Sequence, residues 1–150
     1  MTELRSAGER KAGVLAALEG QNDVWLATAD AAGRPHMIAV SAWWDGRELV
    51  ITTGGRSRTA ANLRAKGSVK IASGTPGDAI MIDADVADVV PAAEASEELA
   101  GGFASAMGWD PRTVGEGWVF ARLKPSRIQA YRGYNELEGR EVMRKSKWLA

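Results

Sequence analysis

A β-rich run that ends in two glycines and leads into a short basic helix constrains the fold of this chain most. Residues 49–53 (LVITT) favour a strand, and the glycine pair at 54–55 breaks it. Ser57 stands where a helix N-cap is expected, and the helix formers of residues 58–66 precede Gly67, which is predicted to end the helix as a C′ residue. The sequence therefore predicts a strand, a tight turn and a helix in immediate succession.

Basic residues are concentrated in this segment. Residues 51–70 contain no acidic residue and five basic ones, namely Arg56, Arg58, Arg64, Lys66 and Lys70. The first N–H groups of a helix lack intrahelical partners and carry partial positive charge, so they favour an anion such as phosphate. A capped surface helix with solvated arginines explains the same pattern equally well. The segment matches neither the P-loop nor the dinucleotide-binding glycine motif.

Composition excludes several other kinds of site. The chain has no cysteine and a single histidine, His36, which excludes disulfides, thiolate metal centres and a multi-histidine metal site within one chain. The 19 basic residues balance 19 acidic ones, which argues against nucleic-acid binding. Residues 71–111 contain eight acidic residues and no Lys or Arg, so the neighbouring basic segment favours a focused anion site.

Hydropathy predicts no membrane association. No apolar run approaches the roughly 20 residues that span a bilayer. The first 19 residues carry charges throughout and lack a hydrophobic segment of the signal-peptide type. We therefore expect a protein of the cytoplasm, with no membrane and no nucleic acid among its partners.

The remaining patterns predict a mainly β domain with peripheral helices. Residues 3–19 favour a helix that Gly20 ends. Strands are predicted at residues 23–28, 34–44, 47–53, 68–73, 78–90, 118–124 and 126–132. Six or seven short antiparallel strands favour a small barrel or sandwich. We divide the single domain of residues 1–150 into an N-terminal helix (1–20), a barrel (23–132) and a C-terminal tail (133–150).

Glycine and proline mark the predicted breaks. The Asp45-Gly46 pair predicts a tight hairpin between the second and third strands. Pro91 is predicted to start an alanine-rich helix that Gly101-Gly102 interrupts, and Pro125 to separate the last two strands. The adjacent Trp43 and Trp44 point to opposite faces of a strand, so one is expected in the core and the other at an interface.

An ordered set of segments resembles a known family. The segments are VWLATADAAGRPH, SAWWDG, VITTGGRSRTAANLRA, GDAIMIDADV and GWVFARLKPSRIQAYRG. They resemble the pyridoxamine 5'-phosphate oxidase-like, FMN-binding split barrels, and are most similar to a small actinobacterial branch that uses FMN or the deazaflavin coenzyme F420. The resemblance covers roughly residues 23–149. It implies a six-stranded antiparallel split β-barrel that forms a homodimer, with two cofactor sites in the grooves between subunits.

The resemblance also implies site residues. It places the cofactor phosphate at the end of the third strand and the start of the helix, near Thr53, Arg56, Ser57, Arg58 and Asn62. The second strand, with His36, Ser41 and Trp43, would lie along the isoalloxazine-like ring. A flavin or deazaflavin then carries the chemistry, and the implied activity is hydride transfer to or from a small organic substrate. No residue is assigned as catalytic.

The resemblance leaves the cofactor and the activity open. Coenzyme F420 has a polyglutamate tail beyond its phosphate, for which Arg56 and Arg58, with Arg64 and Lys66 further along the helix, would supply cations, so we favour it over FMN. The alternatives are an FMN-binding flavin reductase or oxidase, and a non-catalytic cofactor-binding protein. The final residues GREVMRKSKWLA depart from the substrate-binding end of true pyridoxamine phosphate oxidases, so vitamin B6 chemistry is not expected. A heme-degrading relative would need His36 as its axial ligand.

Overall fold

A computed structural model describes residues 3–20, 22–65 and 67–150. In these residues the chain forms eight strands, three α-helices and two short 3-10 helices. The strands are β1 (Asn22–Ala29), β2 (Pro35–Trp44), β3 (Leu49–Gly54), β4 (Ser68–Thr75), β5 (Asp78–Pro91), β6 (Trp118–Tyr131), β7 (Glu141–Arg144) and β8 (Lys147–Trp148). The helices are α1 (Ala7–Glu19), α2 (Arg58–Arg64) and α3 (Glu97–Met107), with 3-10 helices at Ala92–Glu94 and Tyr134–Glu136.

The first six strands close an antiparallel barrel within the described residues. Their order is β3-β2-β1-β4-β5-β6, and pairing of β3 with β6, Ile51 opposite Ala121, closes the ring. Strands β7 and β8 extend the sheet from the second half of β6, where Ile128 lies opposite Met143. Closure removes the unpaired edges that would otherwise invite aggregation. The predicted mainly β, six-stranded split-barrel class is confirmed.

Side chains that alternate along the strands fill the barrel. In β5 the predicted apolar face is buried, and its members are Ile80, Ile82, Ala84 and Val86. In β3 all residues from Leu49 to Thr53 are buried, because α3 covers the outer face of this strand. A second apolar cluster there joins Val50, Phe120 and Phe103 of α3. Trp44 lies in the barrel core, as expected for one of the two tryptophans.

Helix α1 and the chain after the barrel close one end of it together. Ser6 and Glu9 form a capping box, and Val14 and Leu18 reach the barrel core. Arg10 is only 3% exposed, and its guanidinium donates hydrogen bonds to the carbonyls of residues 130, 136 and 138. Residues 133–150, predicted as a tail, contain β7 and β8 and contribute the buried Val142 to the core.

Two predicted boundaries next to β3 are wrong. The hairpin between β2 and β3 has four loop residues, because the Asp45 carboxylate accepts the N–H groups of Arg47 (2.8 Å) and Glu48 (2.7 Å). The return strand therefore starts at Leu49 and not at residue 47. Helix α2 ends at Arg64, with Ala65 as its C-cap in the right-handed region. Gly67 lies beyond that cap and does not have positive φ, so it is not the C′ residue.

Two predicted interruptions are also wrong. Helix α3 runs straight through the glycines at 101 and 102, and the glycine at 102 allows the helix to lie directly on the Trp43 indole. Strand β6 continues through Pro125, which pairs with Ala84 next to a shift of register in β5. A proline has no N–H to offer to a ladder, and such irregular positions tolerate it. Among the described helices, none has the length and apolar character needed to cross a bilayer.

Candidate functional site

The predicted phosphate turn borders a cavity of about 440 Å³, which we call the β3–α2 cavity. Its lining residues are Gly54, Gly55, Arg56, Glu116 and Gly117. The N–H of Gly55 donates to the Gly117 carbonyl at 2.6 Å, and a Cβ at position 55 would lie 2.7 Å from that same oxygen. Only glycine therefore allows the turn to close on the loop that precedes β6.

Helix α2 begins at this turn with a local hydrogen-bond network. The Ser57 hydroxyl accepts the N–H of Ala60 at 3.0 Å and donates to the Gly54 carbonyl at 2.7 Å, which confirms Ser57 as the N-cap. The Thr53 hydroxyl lies 3.4 Å from the Ser57 hydroxyl. The N–H groups of Arg58 and Thr59 have no hydrogen-bond partner among the described residues. Two backbone donors next to the cavity are thus free for an anion.

Two arginines supply positive charge at the β3–α2 turn, since Arg56 lines the cavity and Arg58 is the first residue of α2. Arg56 and Arg58 are exposed, and neither forms an ion pair within the described residues. Hydrogen bonds from Arg34 are the main cause of the lowered pKa of Asp30, and the charge of Arg58 adds to that effect, so Arg58 lies near the β1–β2 turn. Two unpaired guanidiniums beside free N–H groups fit a phosphate. Residues 53 and 56–58 are therefore brought together as predicted.

The cations expected further along α2 contribute less to the positive charge that is available to an anion. The Arg64 guanidinium donates from Nη1 to the Gly55 carbonyl at 2.7 Å and braces the turn from outside. This contact uses one of its donors and directs it to the protein and not to a ligand. Lys66, predicted to serve the same anionic tail, lies outside the described residues.

The ring-lining residues predicted on β2 do not share one face. Val40, Ala42 and Trp44 point into the barrel, and the unbroken register with β1 places His36 on this same inner side. Ser41 and Trp43 point outward. A planar ring on one side of β2 can therefore contact Ser41 and Trp43 together but not His36 with them.

His36 and Asn62 meet at Thr28 on β1. His36 lies opposite Thr28 in the β1–β2 ladder, and the buried Asn62 amide donates to the Thr28 hydroxyl at 3.0 Å. This hydrogen bond fastens α2 to the barrel, so Asn62 has a structural partner already. Thr59, in the first turn of α2, is 1% exposed, and its hydroxyl has no partner among the described residues.

The outer face of β1 and β2 exposes large apolar side chains. Trp25 is 54% exposed and Met37 is 61% exposed, and Ala39 lies opposite Trp25 in the ladder. Ser41, on the same face, donates to the Asp23 carboxylate at 3.2 Å. An exposed apolar patch of this kind is typical of a protein–protein interface.

A second cavity, of about 630 Å³, lies between the β2–β3 loop and α3, and we call it the α3 cavity. Trp43 forms part of its wall, together with Leu99 and Gly102 of α3 and Arg122 of β6. Trp43 pairs with Val50, four residues before Gly54, which separates the two cavities by about 14 Å along β3. No short motif in the sequence predicts this cavity, because its walls come from three separate segments.

Glu116 and Gly117 are the cavity residues that the sequence analysis missed. They adjoin the phosphate turn only because β3 pairs with β6, Gly54 opposite Trp118. The one local signal is an acidic residue between two glycines just before a strand, which is typical of many loops. In the described residues no group of His, Asp and Glu side chains is arranged to hold a metal ion.

Solved structures of similar fold include proteins of several kinds. An F420 reductase is 20% identical with a TM-score of 0.61, the match covering 75% of this chain and 93% of that one. General Stress Protein 26 from Bacillus anthracis is 18% identical (TM-score 0.62; 80% and 92% covered). The heme storage protein HutZ from Vibrio cholerae is 16% identical (TM-score 0.67; 92% and 99% covered). At these identities the likeness concerns the fold alone.

Family membership follows from the sequence match. None of the curated proteins compared matches this chain. The sequence model of the family described as pyridoxamine 5'-phosphate oxidase matches residues 11–130, well over half of the 150 residues. This chain therefore belongs to the pyridoxamine 5'-phosphate oxidase family.

Proposed function

We propose that this protein is an oxidoreductase of the actinobacterial F420/FMN-dependent branch of its family, acting in the cytoplasm. It would transfer a hydride between coenzyme F420, or FMN, and a small organic substrate. The observation that carries the proposal is the β3–α2 turn, where the exposed Arg56 lines the cavity, the exposed Arg58 begins α2, and neither arginine forms an ion pair within the described residues. The proposal is also supported by the fold, which an F420 reductase shares.

The cofactor phosphate is assigned to residues of the β3–α2 turn. The guanidiniums of Arg56 and Arg58 would form charge-assisted hydrogen bonds to its oxygens, which are stronger than bonds between neutral groups. The hydroxyls of Thr53 and Ser57 lie next to the same turn. Because Ser57 already caps α2, its contribution to the phosphate would be to hold the turn in shape.

The ring is assigned to the outer face of β2, and the groove is completed by a second copy of the chain. Exposure of Trp25 and Met37 on that face supports a homodimer that covers them. Ser41 and Trp43 would lie along the ring. His36 and Asn62, which meet at Thr28, would instead support the phosphate end from the inner side of the barrel.

The residues of this chain would bind and orient the cofactor, and the cofactor would supply the chemistry. When bound, a flavin or deazaflavin supplies the hydride chemistry. The arginines would fix the phosphate end, and the dimer groove would position the ring and exclude water from the reacting face. We assign no acid–base residue and no true pyridoxamine phosphate oxidase activity.

Coenzyme F420 is favoured over FMN because two exposed arginines stand where an anionic tail could leave the phosphate. An FMN-dependent reductase or oxidase would use the same turn. A non-catalytic cofactor-binding protein would use it as well, since binding and turnover need the same groove. The HutZ structure, named as a heme storage protein, shares the fold and shows why binding must be tested apart from turnover.

Titration of the cofactor-free protein with F420 and with FMN, followed by fluorescence, tests the proposal. Replacing Arg56 and Arg58 together by alanine should weaken binding by about 3–5 kcal/mol, since each charge-assisted contact is worth about 1.5–3 kcal/mol. The control variant Lys124→Ala/Lys147→Ala removes the same charge at exposed positions elsewhere and should bind normally. Binding of neither cofactor by the parent protein would refute the proposal. Binding without turnover of any electron donor or acceptor would favour the non-catalytic alternative.

A further inference from the structure

A carboxylate lines the cavity to which the cofactor phosphate is assigned. Glu116 borders the β3–α2 cavity together with Arg56, and its side chain has no hydrogen-bond or ion-pair partner among the described residues. A negative charge at an anion site opposes binding, so its presence there calls for a reason. The effect of the Glu116 carboxylate on the binding of an anion depends on how much negative charge the anion carries.

The loop that bears Glu116 is anchored on both sides. The Gly117 carbonyl accepts the Gly55 N–H at 2.6 Å, and the Trp118 indole donates to the Val114 carbonyl at 2.6 Å. Gly115 and Gly117 have φ of +72° and +83°, a region that other residues rarely adopt. These backbone contacts hold Glu116 at the cavity wall next to the turn that carries Arg56.

The two candidate cofactors differ in phosphate charge. The phosphate of FMN is a monoester, and such a group carries about −1.5 to −2 at pH 7. The phosphate of F420 is bonded onward to its tail, so it is a diester with one negative charge. Within the lining of the cavity, Arg56 and Glu116 carry opposite charges of equal size. The second charge of a monoester would therefore face Glu116 with less compensation.

We propose that Glu116 is a specificity-determining residue that shifts the preference of the β3–α2 cavity towards a singly charged phosphodiester and away from a doubly charged phosphomonoester. This inference rests on the proposed function, since it concerns the same cavity. For charges about 7 Å apart at an effective dielectric constant of about 40 to 80, one additional charge changes a dissociation constant about three- to seven-fold. The effect is modest because Glu116 is exposed, and salt reduces it.

The experiment compares two ligands that differ in this charge and by one methyl group. FMN and its methyl phosphodiester have the same ring and ribityl chain. Their dissociation constants are measured by competition against F420 fluorescence at low and at high salt. The proteins are the parent, Glu116→Gln, Glu116→Lys and the control Glu138→Gln, which removes an exposed carboxylate beyond the opposite end of β6 from the cavity loop.

We expect the dissociation constant of FMN, divided by that of its methyl ester, to be higher in the parent than in either Glu116 variant. Glu116→Gln should lower this ratio by up to about three- to seven-fold, and Glu116→Lys should lower it further. The control should leave it unchanged, and high salt should shrink every difference. An unchanged ratio in both Glu116 variants, or an equal change for both ligands, would overturn the inference. The proposed function would still stand in that case if Arg56→Ala/Arg58→Ala lost F420 binding. Failure of the parent protein to bind F420 and both flavins would overturn the two proposals together.

Discussion

The two adjacent glycines of α3 should respond in opposite ways to alanine. A Cβ at Gly102 would meet the edge of the Trp43 indole, at Cη2, at Cζ3 (3.0 Å) and at Cζ2 (3.1 Å). That ring packs against the apolar cluster beneath α3. A Cβ at Gly101 would meet only the carboxylate end of Glu97, whose side chain is 82% exposed and flexible.

The magnitudes follow from two opposing effects. Alanine is favoured over glycine in a helix interior by about 1 kcal/mol, at both positions. At position 101 the cost is at most the exposed ion pair between Glu97 and Arg112, worth less than about 1 kcal/mol, so Gly101→Ala should stabilise by about 0.5 kcal/mol. At position 102 overpacking costs about 1–3 kcal/mol, so Gly102→Ala should destabilise by up to about 2 kcal/mol. The variants should differ by about 1.5 kcal/mol, or about 3–6 °C in Tm.

Urea unfolding and calorimetry of both variants measure this difference. The double variant Trp43→Phe/Gly102→Ala tests its cause, because phenylalanine lacks the outer ring atoms that the new Cβ would meet. Measured against Trp43→Phe alone, Gly102→Ala should then cost less than half of what it costs in the parent. A Gly102→Ala protein as stable as Gly101→Ala would refute the reasoning and show that α3 does not rest on Trp43.

Three further predictions concern the closed end of the barrel and its outer face. A side-chain hydrogen bond from Arg5 is the main reason that the pKa of Glu136 lies at about 2, below its usual 4.5. The stability from this lowered pKa is present above about pH 5 and lost as the pH falls toward 2. Urea unfolding should therefore show the parent losing roughly 1–3 kcal/mol more than Glu136→Gln over that range. Arg10→Lys cannot reproduce the fork of bonds to three carbonyls and should cost about 2–4 kcal/mol by the same measurement, whereas a loss below 0.5 kcal/mol would contradict the buried network. Trp25→Glu should turn the proposed dimer into a monomer in light scattering, while Tyr134→Glu, at a 91% exposed site on another part of the surface, should not.

Features set by neighbouring residues could be predicted from the sequence. The turn at Gly54-Gly55, the Ser57 cap and the alternation along β5 depend on contacts within a few residues, and the structure contains all three. Closed six-stranded topology came from the family resemblance, since periodicity alone allowed a barrel or a sandwich.

Features set by distant partners could not be predicted in this way. The local sequence predicts that Gly102 breaks the helix, and only the tertiary structure shows that Trp43 lies against it. The local sequence predicts that a strand ends at Pro125, and only the tertiary structure shows that this residue lies beside an irregular register between β5 and β6. Glu116 reaches the phosphate turn through the pairing of β3 with β6, across some 60 residues of chain. The structural role of each of these positions depends on tertiary packing.

One error at the site was avoidable from the sequence. His36 and Ser41 are five positions apart in an unbroken strand, so they must point to opposite sides of it. The same rule correctly separated Trp43 from Trp44. Applied to the whole of β2, it would have assigned only Ser41 and Trp43 to a ring on the outer face.

Strand pairing also converts the uneven charge of the sequence into a focused site. The acidic segment 71–111 contributes five carboxylates to ion pairs with cations from outside that segment, and these carboxylates are Asp78, Asp83, Asp88, Glu97 and Asp110. Lys70, from the basic segment, takes part in one of these pairs across the β4–β5 ladder. Arg56 and Arg58 lie past the end of β3 and form no ion pair within the described residues, so these two arginines outweigh the one carboxylate of the cavity lining, Glu116. The strands of the barrel neutralise one another's charges, whereas the β3–α2 turn stays cationic, so the electrostatic field of the protein is directed to that turn. In this way a chain of zero net charge can attract an anion to one place.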